Sequence, residues 1–177
     1  MKPDLARSFE VFVDSNFCGN WHKQYARETD SVQSRHGYII IFAGFPILSK
    51  SQLQTEIALS TREAEYTRVS YALREAIPLM DLLKEMKGKR FNILDHKIKV
   101  HFRVFEDNSG AIEMAVVHKW RPCTKHLATK LHHFRSYVNS GEISVHKIDT
   151  SLQPADVLTK SLNTKLLKRH QKTIMGW

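Results

Sequence analysis

Four acidic residues at separated points of this 177-residue chain stand where elements of secondary structure begin or end. Asp14 closes the apolar run Phe9–Val13, and Glu65 lies in the opening turns of a long helical pattern. Asp107 follows the strand-like run Val100–Phe105, and Asp156 follows Pro154 at a helix start. Carboxylates gathered within about 4 Å repel by roughly 4 kcal/mol per pair at an effective dielectric of 20. Three or four together therefore demand protons or cations. Oxygen-only donors suit a hard ion such as Mg²⁺ or Mn²⁺ rather than zinc. Two such ions about 3.5–4 Å apart activate water and stabilise the leaving oxygen in an in-line attack on phosphorus. Singly, each acid has a structural role open to it: a turn cap at Asp14, helix-start charges at Glu65 and Asp156, and an N-cap turn at Asp107-Asn108-Ser109-Gly110. Only their joint placement argues for metal.

That placement follows from the elements. Phe9–Val13 reads as a strand with Phe9, Val11 and Val13 on one face. The polar stretch from Asn16 to Ser34 reads as a loop, and the near-continuous apolar run Gly37–Ala43 as a strand covered on both faces. A turn at Gly44-Phe45-Pro46 leads to an antiparallel partner over Ile47–Gln54. Ser60 with Glu63 forms a capping-box signature, after which Tyr66, Val69, Leu73, Ala76 or Ile77, Met80 and Leu83 recur at helical spacing up to Gly88. Pro78 inside this helix predicts a kink or a break near Ile77, at a cost of about 3 kcal/mol. A fourth strand covers Val100–Phe105. Short helices over Ser109–Val117 and Thr124–Asn139 precede a fifth strand at Glu142–Ile148. Pro154 opens a helix through Lys160, and Lys165–Ile174 forms a last amphipathic one. This α/β order requires strand four to run parallel to strand one through a right-handed crossover. Their carboxyl ends then share the edge of the sheet where open α/β folds bind ligands.

Composition narrows the class. The chain reads as one domain over residues 1–177, with its core at about 9–162 and a helical tail at 163–177. Two distant cysteines, Cys18 and Cys123, give neither a disulfide framework nor a zinc finger, and fit a reducing compartment. No apolar stretch approaches membrane-spanning length and no signal peptide opens the chain, so a soluble intracellular protein is expected. Charge is uneven: residues 1–117 hold 16 Lys/Arg against 15 Asp/Glu, and residues 118–177 hold 11 against 3. A basic segment beside an acid cluster points to a polyanionic partner, because neutralised phosphates release counterions.

The strings Val13-Asp14, Lys50-Ser51-Gln52, Leu59-Ser60-Thr61-Arg62-Glu63-Ala64-Glu65-Tyr66, Glu106-Asp107-Asn108-Ser109-Gly110-Ala111, Thr124-Lys125-His126 and Gln153-Pro154-Ala155-Asp156-Val157-Leu158-Thr159-Lys160 carry a resemblance. In this order, across about residues 9 to 162, they resemble the ribonuclease H domain of copia-class LTR retrotransposon polyproteins. The resemblance implies a ribonuclease H-like α/β fold, a five-stranded mixed sheet in the order 3-2-1-4-5 flanked by helices. It implies two-metal hydrolysis of the RNA strand of an RNA–DNA hybrid, with two Mg²⁺ ions (Mn²⁺ as substitute) held by Asp14, Glu65, Asp107 and Asp156. Ser60 and Thr61 match the grip on a DNA-strand phosphate at a helix N-terminus. Asn108 and Ser109 match a contact near the RNA strand, whose 2′-hydroxyls separate RNA from DNA. Ser15, Lys125 and His126 complete the nucleic-acid-binding set. The implied partner is the reverse transcriptase domain of the same polyprotein, and the implied location is a cytoplasmic retroelement particle, with the nucleus as the second place.

Many cellular ribonucleases H carry a histidine on the loop before the last aspartate. Residues 148–155 contain none, so no catalytic histidine is assigned and slow turnover in isolation is expected. His118, His126, His132 and His133 have no accompanying cysteine pair and are read as structural or phosphate-facing. The rival reading is a non-catalytic nucleic-acid-binding or connection domain of the same fold. An integrase of the same superfamily would lack the Glu-Ala-Glu-Tyr helix and bring a zinc-binding His/Cys module.

Overall fold

Strand β1 (Phe9–Asn16) is buried on both faces, which places it in the middle of a sheet. In a computed structural model describing residues 4, 7–16, 23–25, 33–54, 61–89, 100–116 and 128–175, β1 pairs antiparallel with β2 (Arg35–Phe42) and parallel with β4 (Phe102–Glu106). β3 (Phe45–Leu53) and β5 (Ile143–Lys147) form the two edges, giving the order 3-2-1-4-5. The ladder matches Phe9 with Phe102 and Phe12 with Phe105, and the rings of both pairs stack, at 4.2 and 4.9 Å between centroids.

The hairpin between β2 and β3 turns at Ala43-Gly44, one residue earlier than the expected Gly44-Phe45-Pro46. Both residues have positive φ, 52° and 87°, as a two-residue turn matched to strand twist requires. Pro46 instead lies within β3, opposite Ile41 beside a register shift. An edge strand tolerates a proline there because its missing N–H faces no inner ladder.

Alternation along β1 divides the interior in two. Phe9, Val11 and Val13 face one core, with Tyr38 and Ile40, and Phe12 faces a smaller one with Ile39, Ile41 and Ala155. Helix α1 (Thr61–Gly88) covers the first core with Val69, Ala72, Leu73, Ala76, Ile77 and Met80. The expected break at Pro78 does not occur: the helix is continuous over 28 residues. Pro78 and Arg74, whose carbonyl loses its N–H partner, both lie on the exposed face, where water can replace that bond. Helices α2 (Ser109–Val116) and α3 (Ala128–Asn139) follow, the latter contributing Phe134 to the same core.

The second core is covered by the short segment Pro154–Leu158 and by helix α4 (Thr164–Met175). Pro154–Leu158 is a tight 3-10 turn rather than the α-helix expected through Lys160. Gly37, directly opposite Asp14 in the β1–β2 ladder, lets this turn press onto the sheet. A Cβ there would lie 2.6 Å from the Leu158 Cβ and 3.0 Å from the Thr159 Cγ2. In α4, Leu166, His170 and Ile174 form the inward stripe, and Lys165, Lys168, Arg169 and Lys172 lie exposed. Among the described residues, no helix is long and apolar enough to cross a membrane.

Candidate metal centre

The parallel pairing of β1 and β4 brings two strand ends together at one edge, and the acids sit at those ends. Asp14 lies near the end of β1, Asp107 follows β4, and Asp156 enters from the 3-10 turn. Oxygen atoms of the three carboxylates lie within 4.8 Å of one another. Asp14 and Asp156 are buried and Asp107 is half-buried. An oxygen-only set of three carboxylates fits a hard divalent cation, with no histidine or cysteine joining the group among the described residues.

Several contacts hold the acids in place. Gln153, fully buried, donates through Nε2 to the carbonyls of Val13 (2.8 Å) and Phe105 (3.3 Å). One amide thus ties the ends of β1 and β4 immediately before the acid edge. Thr159 donates its hydroxyl to Asp14 Oδ2, and Asn16 Nδ2 reaches the Thr159 carbonyl at 3.3 Å. Ser51 Oγ donates to the Leu158 carbonyl at 2.6 Å, pinning the same turn to β3. Thr150 Oγ1 donates to Asp107 Oδ2 at 3.2 Å.

Two internal cations reach the cluster. Arg68 of α1 binds Glu106 through both Nε (3.1 Å) and Nη2, and extends Nη1 to Asp14 Oδ1 at 3.3 Å. Its Nη2 is also 3.5 Å from Asp107 Oδ1. Lys160 Nζ bridges Asp14 Oδ1 (3.2 Å) and Asp156 Oδ1 (3.0 Å). Burial pushes the Asp156 carboxyl up to about 6, with Asp14 adding to the rise and Lys160 opposing it. Burial likewise pushes Glu106 up to about 8, against the pull of Arg68 and of the Asn108 N–H. Burial alone would lower Lys160, but Asp14 and Asp156 outweigh it and hold the ammonium above its ordinary value.

The other expected residues fall as follows. Glu65 lies in the second turn of α1, three residues before Arg68; its side chain, like that of Thr61 at the first helical position, is outside what is described. Ser60, Lys125 and His126 lie outside the described residues. Ser15 is buried on the α1 face, its hydroxyl without a hydrogen-bond partner among the described residues, facing away from Asp14 by strand alternation. Asn108 caps α2, its Oδ1 accepting from the Gly110 N–H at 2.7 Å. Ser109 is exposed at the start of α2 and accepts from Lys147 Nζ at 3.0 Å. Arg68, Glu106 and Gln153 were given no role on sequence grounds. The signal for Arg68 was a cation at the head of the small-residue line Ala72 and Ala76 on an otherwise apolar helix face.

No protein-family profile matches the chain. It is 34% identical over 135 residues to the retrovirus-related Pol polyprotein from transposon TNT 1-94 of Nicotiana tabacum, covering 76% of the chain and 10% of the relative. It is 30% identical over 174 residues to that from transposon RE2 of Arabidopsis thaliana, covering 98% and 11%. The chain thus spans about a tenth of the length of the curated relatives it matches. Its fold is similar to the N-terminal RNase H domain of a Mycobacterium tuberculosis protein, with a TM-score of 0.55 at 12% identity, covering 94% of this chain and 97% of that one. It is also similar to LC11-RNase H1 in complex with an RNA/DNA hybrid, with a TM-score of 0.52 at 15% identity, covering 85% and 93%.

Proposed function

The chain is a homologue of the Pol polyproteins of plant copia-type transposons and has the ribonuclease H-like fold; on that premise we propose that it is a metal-dependent endoribonuclease that hydrolyses the RNA strand of RNA–DNA hybrids. The observation that carries this reading is the convergence of Asp14, Asp107 and Asp156, from three separate elements, within 4.8 Å. These three would hold Mg²⁺ or Mn²⁺, joined by Glu65 of α1. Two bound ions would activate the attacking water and stabilise the leaving oxygen.

The chain's own residues supply the rest. Gln153 fixes the spacing of the two strand ends, and Thr159 fixes the rotamer of Asp14. Thr150 orients Asp107. The exposed cations of α4 stand available to phosphates along the hybrid, a term that weakens with salt. In the parent polyprotein the domain would work beside the reverse transcriptase, in a cytoplasmic element particle.

The test is cleavage of an end-labelled hybrid in Mg²⁺, alongside double-stranded RNA and duplex DNA. The expected result is nicking of the hybrid RNA strand alone, lost by at least about 10²-fold in Asp107→Asn with the fold intact, the scale of removing a group that acts on developing charge. Full activity in that variant would remove the site assignment. One observation favours the non-catalytic alternative: Arg68 and Lys160 already pair the acids from within. Hybrid binding without cleavage in any divalent metal would establish that alternative.

A further inference from the structure

Lys160 and Arg68 both contact Asp14 Oδ1, but their freedom to leave it differs. The Arg68 side chain is 1% exposed and bound to Glu106 as well as Asp14. That of Lys160 is 32% exposed, on a flexible four-carbon stem, while its partners Asp14 and Asp156 are 2% and 8% exposed. Asp14 has little capacity to spare. Its Oδ1 accepts from Arg68 and Lys160 and its Oδ2 from Thr159, out of about four lone-pair positions.

An ion bridging Asp14 to Asp156 would need oxygen lone pairs that now point to the Lys160 ammonium. A divalent ion and an ammonium at the same separation repel twice as strongly as two monovalent charges. The ammonium therefore has to move, and its exposed side gives it a path into water that Arg68 lacks. We propose that Lys160 is a displaceable internal counter-ion: it holds Asp14 and Asp156 together and leaves as a divalent ion enters, setting the ion concentration at which the site fills. The inference rests on the reading that these aspartates hold metal, and extends it to how that site is regulated.

The test is calorimetric titration of the full chain with Mn²⁺ at fixed ionic strength. Lys160→Met is expected to bind Mn²⁺ roughly tenfold more tightly than the parent, the scale of one charge interaction of 1.4 kcal/mol. Lys160→Gln, the second neutral variant should the first fail to fold, shifts the same way. Lys160→Arg, which keeps a cation at the position, stays near the parent. Lys89→Met, exposed just beyond the end of α1, removes the same charge elsewhere and leaves the affinity unchanged. Equal or weaker binding in both neutral Lys160 variants overturns the proposal, as does a matching gain in Lys89→Met. Failure of the underlying metal reading has a separate signature: no Mn²⁺ heat in the parent, or heat that Asp156→Asn leaves unaltered.

Discussion

Arg68 and Lys160 approach one acid cluster from opposite faces of the sheet. Arg68 comes from the long helix over the larger core, and Lys160 from the turn over the smaller one. On the Arg68 side the charges are closed off: a fully buried guanidinium, a fully buried Glu106, and a buried His36 stacked on the half-buried Tyr71 at 5.0 Å. On the Lys160 side the ammonium is partly wet, reaches Asp14 and Asp156 by one contact each, and stands just beyond a short 3-10 segment. A fully buried cation has nowhere to go when its pairing is disturbed, whereas a half-exposed ammonium can turn into water. The first side thus reads as scaffold, and the second is the side on which we propose that ions exchange.

The sharpest way to break this contrast is to remove each cation in turn. Arg68→Met should lower stability by about 3–5 kcal/mol, because Glu106 and Asp14 lose their buried partner. Lys160→Met in metal-free buffer should cost less, about 1–3 kcal/mol, because Asp14 keeps Arg68 and Thr159 while only Asp156 loses its cation. Urea denaturation at neutral pH checks both values, and similar losses in the two variants would erase the distinction.

A smaller effect comes from acid, again on the Arg68 side. Burial, with Lys50, Arg35 and Arg68 nearby, lowers the His36 pKa to about 4. The unfolded chain therefore takes up this proton first as the pH falls below about 6.5. Stability should rise with pH between about 4 and 6.5 from this group and stay level above it, with roughly 2 kcal/mol lost at pH 5. His36→Phe keeps a ring against Tyr71 and should flatten that slope in a pH series of melts. An unchanged slope would assign acid sensitivity to other groups.

Much of this architecture was legible beforehand, because periodicity reports burial. The two-sided burial of β2 and the apolar stripe of α1 follow from where apolar residues recur, and the parallel placement of β4 from the order of the elements; the burial of β1 on its second face did not show in its short alternation. The meeting of Asp14 and Asp107 followed from the strand order, and Asp156 joined them through the resemblance. What escaped depends on three-dimensional neighbours. Pro78 suggested a break because its tolerance rests on which helix face meets water. Pro154–Leu158 suggested an α-helix because its tightness comes from Gln153 reaching two strand ends and Gly37 giving way beneath it. Arg68 carried too faint a signal, since a single cation on an apolar stripe does not reveal which carboxylates await it. The Asn108 side-chain oxygen caps α2, the N-cap role that Asp107-Asn108-Ser109-Gly110 also offered in the sequence.

The central claim is that acids from three elements form one divalent-ion site, and a crystal soaked in Mn²⁺ and measured at the manganese absorption edge tests it most directly. The account predicts an anomalous peak within coordination distance of Asp14, Asp107 and Asp156, with the Lys160 ammonium turned away. A peak elsewhere on the surface, or none at millimolar Mn²⁺ with Lys160 still bridging Asp14 and Asp156, would contradict it.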